Sequence, residues 1–329
     1  MINLSNNWKD YECIATGEGQ KIERWGNIIL NRPDPQIIWS KDKNNDIWNK
    51  WDGFYHRSTK GGGEWEFRKK LPEFWTISYK HLTFKVSPTN FKHTGIFPEQ
   101  ATNWDYIMDK LNNFEEENIR VLNLFAYTGC ATMAAASCNV EEVVHVDASK
   151  GINDWAKENM QLCNLENKKI RFIIEDAIKF LEREKRRGRT YHAIIMDPPS
   201  YGRGPNKEVW RLEDNLKELL LKVKDVLDEN YSFVLINSYT TGISPTSLNN
   251  ILKQTFPNTN IETGEIGLPT TEKLILPCGI YGKITKNQYN IWRQSPTSSR
   301  KADKHTSMWR WIKKFRFTFN IKTIHKRKI

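Results

Sequence analysis

The sequence is short of several things, and each shortage narrows what the chain can be. It has no run of 18 apolar residues, so no integral membrane helix is expected. The start, Met1 to Asp10, is polar and lacks the apolar stretch of a secretory leader. Cysteine is scarce: Cys13, Cys130, Cys138, Cys163 and Cys278 are scattered, odd in number and free of C-x-x-C spacing. That excludes a disulfide framework and a structural zinc site, and it points to a reducing, cytoplasmic location. There is no internal repeat and no low-complexity tract. The dinucleotide pattern G-x-G-x-x-G is missing, because Gly129 stands alone in its turn. A pyrophosphate needs backbone approach at several points, and one glycine does not provide it. The bulk of the chain also lacks an excess of either charge. Of 50 Lys and Arg, 12 fall after Asn290 against one acid, Asp303, and the rest of the chain carries 38 of each sign. The basic pI therefore describes the tail and not the body.

What is present divides the 329 residues into about two domains. Residues 1–90 read as a small β-rich domain. Tyr11–Ile14, Trp25–Leu30, Gln36–Trp39, Gly53–Tyr55, Trp65–Arg68 and Leu82–Val86 are short apolar or aromatic runs separated by Gly, Pro and Asn. Trp25, Trp39, Trp48, Trp51, Trp65 and Trp75 are core candidates first, with base stacking the sharper alternative for an exposed one. Gly61-Gly62-Gly63 reads as a hairpin tip, or as a nucleic-acid contact with Arg57 and Lys60. His93 to Gln100 leads into a helix expected over Trp104–Glu117.

From residue 91 to 290 strands and helices alternate. Strands are expected at Val121–Phe125, Val143–Val146, Arg171–Ile174, His192–Met196 and Ser232–Asn237. Helices follow them at Ala131–Cys138, Gly151–Cys163, Ala177–Arg187, Lys207–Leu227 and Thr246–Phe256. Two late strands, Thr259–Ile266 and Leu274–Leu276, have no good helix between them. The pattern implies a doubly wound α/β sheet, Rossmann-like, with a closing β-hairpin.

Chemistry-bearing residues gather at the expected strand tips. Val121 to Cys130 reads as buried strand, tight Gly turn and helix start, with Thr128 as N-cap. Asp147 ends the second strand, 18 residues after Gly129, where an acid accepts both hydroxyls of a ribose; a helix N-cap is the competing role. Glu175-Asp176 ends the third strand and suits an adenine amine or a cap for the helix from Ala177. Asp197-Pro198-Pro199-Ser200-Tyr201-Gly202 ends the fourth. Two prolines remove two N–H donors and leave carbonyls free beside a carboxylate and a ring. That combination suits a flat ligand bearing an N–H group.

These residues resemble the class I S-adenosylmethionine (SAM)-dependent methyltransferases, and more narrowly the family that includes bacterial 23S ribosomal RNA methyltransferases. Asn123 to Gly129, Asp147, Glu175-Asp176 and Asp197 to Gly202 carry the likeness, together with the lead-in Thr94 to Gln100. The resemblance implies SAM as cofactor, with Phe97 and Gln100 over it. It places Asn123, Phe125, Ala126, Tyr127, Thr128 and Gly129 around the methionine moiety. Asp147 and Ala148 fall at the ribose, and Glu175, Asp176 and Ala177 near adenine. Asp197, Pro198 and Tyr201 meet the target, with Asp197 also touching the cofactor. One departure matters. Cytosine-C5 enzymes of this family use a cysteine after the fifth strand, and here that place reads Asn237-Ser238-Tyr239-Thr240-Thr241. Transfer to a base nitrogen of RNA is therefore preferred. A protein or small-molecule amine or amide target, and a SAM- or RNA-binding protein without turnover, are the alternatives. Nothing in the pattern fixes an oligomeric state. The tail, 291–329, alternates bases with aromatics. It reads as a poorly ordered solvated segment, an RNA arm, a membrane-surface segment, or an end unrelated to the family.

Overall fold

A computed structural model of the chain describes residues 1–58, 62–89, 92–203 and 209–287. Lys60 and Gly61 of the glycine-rich turn and the whole basic tail lie outside the described residues. Strand β1 (Ile2–Leu4) is followed by five strands of an amino-terminal sheet: β2 (Tyr11–Gly17), β3 (Gln20–Trp25), β4 (Ile28–Pro33), β5 (Gly53–Arg57) and β6 (Gly63–Phe67). They lie in that order, antiparallel except for the step from β4 to β5. A hairpin, β7 (Trp75–Tyr79) and β8 (Leu82–Val86), completes this part.

Two expectations here fail for local reasons. Trp25 to Leu30 is not one strand but a hairpin turn, with Trp25 opposite Ile28, because Gly26 takes a φ of 63°. Gln36 to Trp39 is not a strand. Pro33 and Pro35 offer no N–H to a ladder, and Ile37 folds back onto the Asp34 carbonyl instead. The tryptophans are structural in the main: Trp25, Trp48 and Trp51 are buried, and Trp39, Trp65 and Trp75 are half-buried against the core.

The large sheet is built from β9 (Arg120–Leu124), β10 (Glu142–Asp147), β11 (Ile170–Ile174), β12 (Ala193–Met196), β15 (Phe233–Ser238), β16 (Thr259–Pro269) and β17 (Ile275–Lys286). A short ribbon, β13 (Tyr201–Arg203) with β14 (Val209–Arg211), stands apart from it. The helices are α1 (Ala101–Asn112), α2 (Cys130–Ala136), α3 (Lys150–Leu162), α4 (Ala177–Arg186), α5 (Leu212–Asp225) and α6 (Pro245–Thr255). The sheet order is β1-β16-β17-β15-β12-β9-β10-β11, with β9, β10, β11, β12 and β15 parallel and β17 antiparallel to both its neighbours. It is a doubly wound sheet closed by a β16–β17 hairpin. β1 pairs with β16, so the first residues join this sheet and not the amino-terminal one.

Strand alternation sorts the core into two faces. Val121, Val143, Ala193 and Ile195 pack with Trp104 of α1 and with Met133 and Ala134 of α2. Leu122, Leu124, Val144, Val146, Ile194 and Met196 pack with Phe180, Leu216 and Leu248 of α4, α5 and α6. The first of these cores runs on through Phe84 to Trp25 and Tyr11. The change of sheet near residue 90 is thus not a gap in the packing.

Helix ends also moved. α1 starts three residues early, because Pro98 opens a 3-10 turn that feeds it, and stops at Asn112. Glu115 to Glu117 beyond it would oppose the dipole at a carboxyl end. The helix expected from Lys207 begins at Leu212, because the β13–β14 ribbon takes the residues before it.

Candidate active site

The turn after β9 is held in an unusual backbone shape. Phe125 and Tyr127 have φ near 53° and 51°, and Gly129 follows at 83°. Non-glycine residues in the left-handed region cost on the order of 1 kcal/mol each and gather at ligand sites. Hydrogen bonds hold the shape: Ala126 N–H donates to the Val146 carbonyl, and Gly129 N–H to the Ala126 carbonyl. Gly129 is the N-cap residue of α2, and Thr128 is not, contrary to expectation. The Thr128 hydroxyl donates instead to the Gly95 carbonyl at 2.5 Å, tying the lead-in segment to the turn. Gly95 has no alternative there, since a Cβ would sit 2.3 Å from the Trp155 ring.

A cavity of about 490 Å³, including its open mouth, lies at this turn. It is lined by Phe97, Gln100, Asn123, Phe125, Ala126, Tyr127, Thr128, Gly129 and Asp197 from the expected set. The Asn123 amide donates to Thr132 Oγ1, which bonds His145 Nδ1, so its orientation is fixed from behind. Burial pushes His145 down to about 3, keeping it neutral. Asn103, Asn237 and Cys130 also line the cavity and carried no sequence signal of their own.

The remaining expected residues lie at neighbouring strand tips, outside that lining. Asp147 Oδ2 accepts from Tyr127 N–H (3.0 Å) and Oδ1 from Ser149 N–H (2.9 Å), while Ser149 caps α3. Burial raises the Asp147 carboxyl above its ordinary value, against the pull of those two N–H groups. Ala148 beside it is exposed. Asp176 is exposed and caps α4 through Lys179 N–H. Glu175 is paired with Arg183 at 2.5 Å, and Ala177 is buried under the helix start.

Asp197 is the electrostatic centre. Its Oδ2 accepts a long bond from Gln100 Nε2 (3.4 Å), and its Oδ1 is sealed from solvent with no partner. Gln100 also donates to Tyr239 Oη (2.8 Å) and accepts from Asn103, which donates in turn to Asn237. Burial first, and then the charge of Glu99, raise the Asp197 carboxyl to about 7. Glu99 is itself buried and raised. Two carboxyls thus share one poorly solvated corner with no cation paired to Asp197.

Pro198 is buried, while Pro199 and Ser200 are exposed and Tyr201 is 51 % exposed. The sequence gives no hint of Trp210. Its indole N–H donates to the Pro199 carbonyl (2.7 Å), and its ring lies 5.8 Å from Phe125. It ties the proline loop to the cofactor turn. Of the two proline carbonyls expected to be free, Pro199 is therefore engaged.

Cys278 is buried, its Sγ donating to the Leu276 carbonyl, and its thiol is pushed well up by burial and the charge of Glu99. Cys130 lines the cavity, and burial pushes it up to about 12. Neither is a thiolate at neutral pH. Among the described residues no group of three or more His, Cys, Asp or Glu is placed to hold a metal ion, and no helix is long and apolar enough to cross a membrane.

A family model for the S-adenosylmethionine-dependent methyltransferases matches residues 53–245. A SAM-dependent methyltransferase from Agrobacterium tumefaciens superposes with a TM-score of 0.82 at 33% identity, over 87% of this chain and 94% of that one. A methyltransferase solved in complex with S-adenosylhomocysteine shares the fold at a TM-score of 0.68 and 18% identity, over 85% of this chain and 76% of that one. Ribosomal RNA large subunit methyltransferase K/L of Pseudoalteromonas translucida is 30% identical over 156 residues, 47% of this chain and 21% of that protein. Ribosomal RNA large subunit methyltransferase I of Yersinia pseudotuberculosis is 39% identical over 82 residues, 25% of this chain and 21% of that protein. The chain spans about a fifth of the length of these curated relatives.

Proposed function

The chain belongs to the S-adenosylmethionine-dependent methyltransferase family, and from that premise we propose that it methylates a base nitrogen of RNA, with ribosomal RNA the first candidate. The residues fit the cofactor. A glycine turn and an open cleft lined by Phe97, Gln100 and Phe125 to Gly129 lie at the carboxyl ends of the strands, with Asp147 at the next strand tip. When bound, SAM supplies an electrophilic methyl carbon on a sulfonium. Phe125 to Gly129 would hold its methionine end, with Phe97 and Gln100 above. Asp147 would hold its ribose. Glu175 and Asp176 are already engaged by Arg183 and Lys179, which leaves Ala177 and the spare Asp176 oxygen for the adenine side.

The observation that carries the nitrogen reading is Asp197 in the wall of the cavity, with a buried Oδ1 that has no hydrogen-bond partner. An exocyclic amine is a weak nucleophile because its lone pair is delocalised into the ring. Accepting its N–H bonds at Asp197 and Pro198 localises that pair and aims it, a positioning and electrostatic effect. Tyr201 would stack the base, turned out of its helix where it began in one. A C5 mechanism needs a thiolate, and Cys130 and Cys278 are both held protonated. The names of the curated relatives support ribosomal RNA, and five free, buried cysteines support a reducing cytoplasm. The family match runs from Gly53 across residue 90 and one core packs both sheets, so a small β domain at 1–90 and a methyltransferase domain at 91–290 are a proposed division of sheets, not of separately packed bodies, and β1 crosses it by pairing with β16.

Labelled SAM offered with bulk RNA, DNA and protein tests the substrate class, followed by mass spectrometry of nucleosides from cells with and without the gene. An N-methylated nucleoside missing from the deletion is expected. Label on protein alone, or a missing C-methylated base, would overturn the reading.

A further inference from the structure

The segment that links the amino-terminal sheet to the cofactor turn is pinned on both sides. Ser87 N–H pairs with the Thr94 carbonyl, and Thr89 N–H with the His93 carbonyl. The Trp65 indole on β6 donates to the Thr89 carbonyl (2.8 Å), and Arg32 on β4 donates to the Lys92 carbonyl (2.9 Å). The loop therefore holds Lys92 in a fixed place, half-buried.

Lys92 forms no ion pair within 4.0 Å among the described residues, and neither does Arg57 at the end of β5. The charges around Lys92 are mostly of its own sign: Lys21, Arg32 and Arg57 face it, against one acid, Asp34. Lys21 already holds Asp34 at 3.3 Å, and Arg32 is taken up by Glu23 through Nε (2.6 Å) and Nη2 (2.8 Å). Burying a cation among cations is unfavourable, and it is offset when an anion from outside completes the set. Beside Lys92 the rings run inward: His93 lies 5.3 Å from Phe97, which lies 5.5 Å from Tyr127 and from Tyr239 at the cavity. Burial and the nearby cations hold His93 neutral, down at about 4, so it offers a ring and not a charge.

We propose that Lys92 and Arg57, backed by Lys21 and Arg32, form a phosphodiester-binding site at the mouth of the active site, which seats the strand whose base enters past His93 and Phe97. This rests on the RNA reading above and adds where the polyanion is gripped. The site takes the charge of a backbone phosphate and reads no base, so it sets affinity and register.

The test uses the full chain with Lys92→Gln, Lys92→Glu and Arg57→Gln. Both positions are at the surface or half-buried, and the Gln variants keep most of the stems. Filter binding of a substrate RNA from 50 to 300 mM salt should show each Gln change lowering the salt slope by roughly 0.7–0.9, the value for one phosphate contact. Lys92→Glu should weaken binding further, and the SAM affinity of all three should stay within about twofold of the parent. Inorganic phosphate should compete with RNA for the parent protein and less well for Lys92→Gln. An unchanged slope in protein that still methylates RNA would refute this site while leaving the RNA reading intact. A loss of SAM affinity in Lys92→Gln would refute it differently, by assigning the cation to the cofactor's carboxylate. Absence of RNA binding and methylation by the parent would remove both proposals together.

Discussion

Asp197→Asn should make the protein more stable and less active at once. The carboxyl rises from an ordinary 3.8 to about 7 because it is buried and faces Glu99. Its folded value lies above its unfolded one, so folding favours the protonated form. That contribution is complete below pH 3.8 and is lost as pH rises through about 7. Each pH unit between those values is about 1.36 kcal/mol, so the ionised group costs the ligand-free fold about 4 kcal/mol above pH 7. The amide keeps the shape and can still accept from Gln100, but its NH2 takes the place of the unpartnered Oδ1 and costs about 1–2 kcal/mol. A net gain of about 2–3 kcal/mol is expected at pH 8, or about 5–10 °C in Tm for a domain of this size. Below pH 4 the sign should reverse, the variant being about 1–2 kcal/mol less stable, because the parent is then neutral and only the cost of the amide remains. Unfolding of parent and variant from pH 4 to 9 reads this directly. Transfer by the parent should rise with pH through about 7, and the variant should lose on the order of 100-fold at all pH values. Equal stability of the two proteins at pH 8 would show that Asp197 is not held ionised at a cost. An active variant would show that a charged acceptor is not needed.

Three further outcomes follow from the same geometry. Asp147→Ala frees the Tyr127 and Ser149 N–H groups and removes the ribose acceptor, so SAM binding by calorimetry should weaken by roughly 10- to 100-fold; unchanged affinity in a folded variant would remove Asp147 from the cofactor site. Gly95→Ala puts a Cβ 2.3 Å from Trp155 at a φ of 95°, and chemical unfolding should show a loss of about 2–4 kcal/mol, together with weaker SAM binding through the Thr128 contact. Cys278→Ser should keep transfer within a few-fold; abolished transfer with SAM affinity intact would bring back a covalent mechanism.

The fold was legible wherever one physical signal acted alone. Val121 to Leu124, Val143 to Val146 and Phe233 to Asn237 are apolar runs of strand length, and a strand buried on both faces has no other way to read. Acids at their ends stand out because an unpaired carboxylate at the tip of a buried strand needs a reason. Legibility failed where two signals coincide. Asp176 suits a cap and a ligand equally on spacing, and the chain uses it as a cap. Val209 and Trp210 would sit as well in a helix start as in a ribbon, so nothing local revealed the indole that holds the Pro199 carbonyl. Gln36 to Trp39 carries strand residues, and the prolines before it decided the matter.

The least legible part is also where binding and chemistry meet. Glu23, Arg32 and Lys21 are spread over two strands of one sheet, Lys92 and His93 lie in a connecting loop, Glu99 lies in the 3-10 turn before α1, and Asp197 follows β12 of the other sheet. No periodicity joins them, since their relation is made only when the amino-terminal sheet packs against the lead-in to the cofactor turn. Once packed, charge is segregated by depth. Carboxyls without a paired cation, Glu99 and the Oδ1 side of Asp197, are buried, while the cations without a paired acid, Lys92 and Arg57, are half-buried and exposed. On the proposed reading, a cofactor that carries a sulfonium and an RNA that carries phosphates would be drawn to opposite ends of that arrangement. The inner acids favour the charged cofactor over its neutral thioether product, so the same unpaired Oδ1 that costs stability also favours release after transfer.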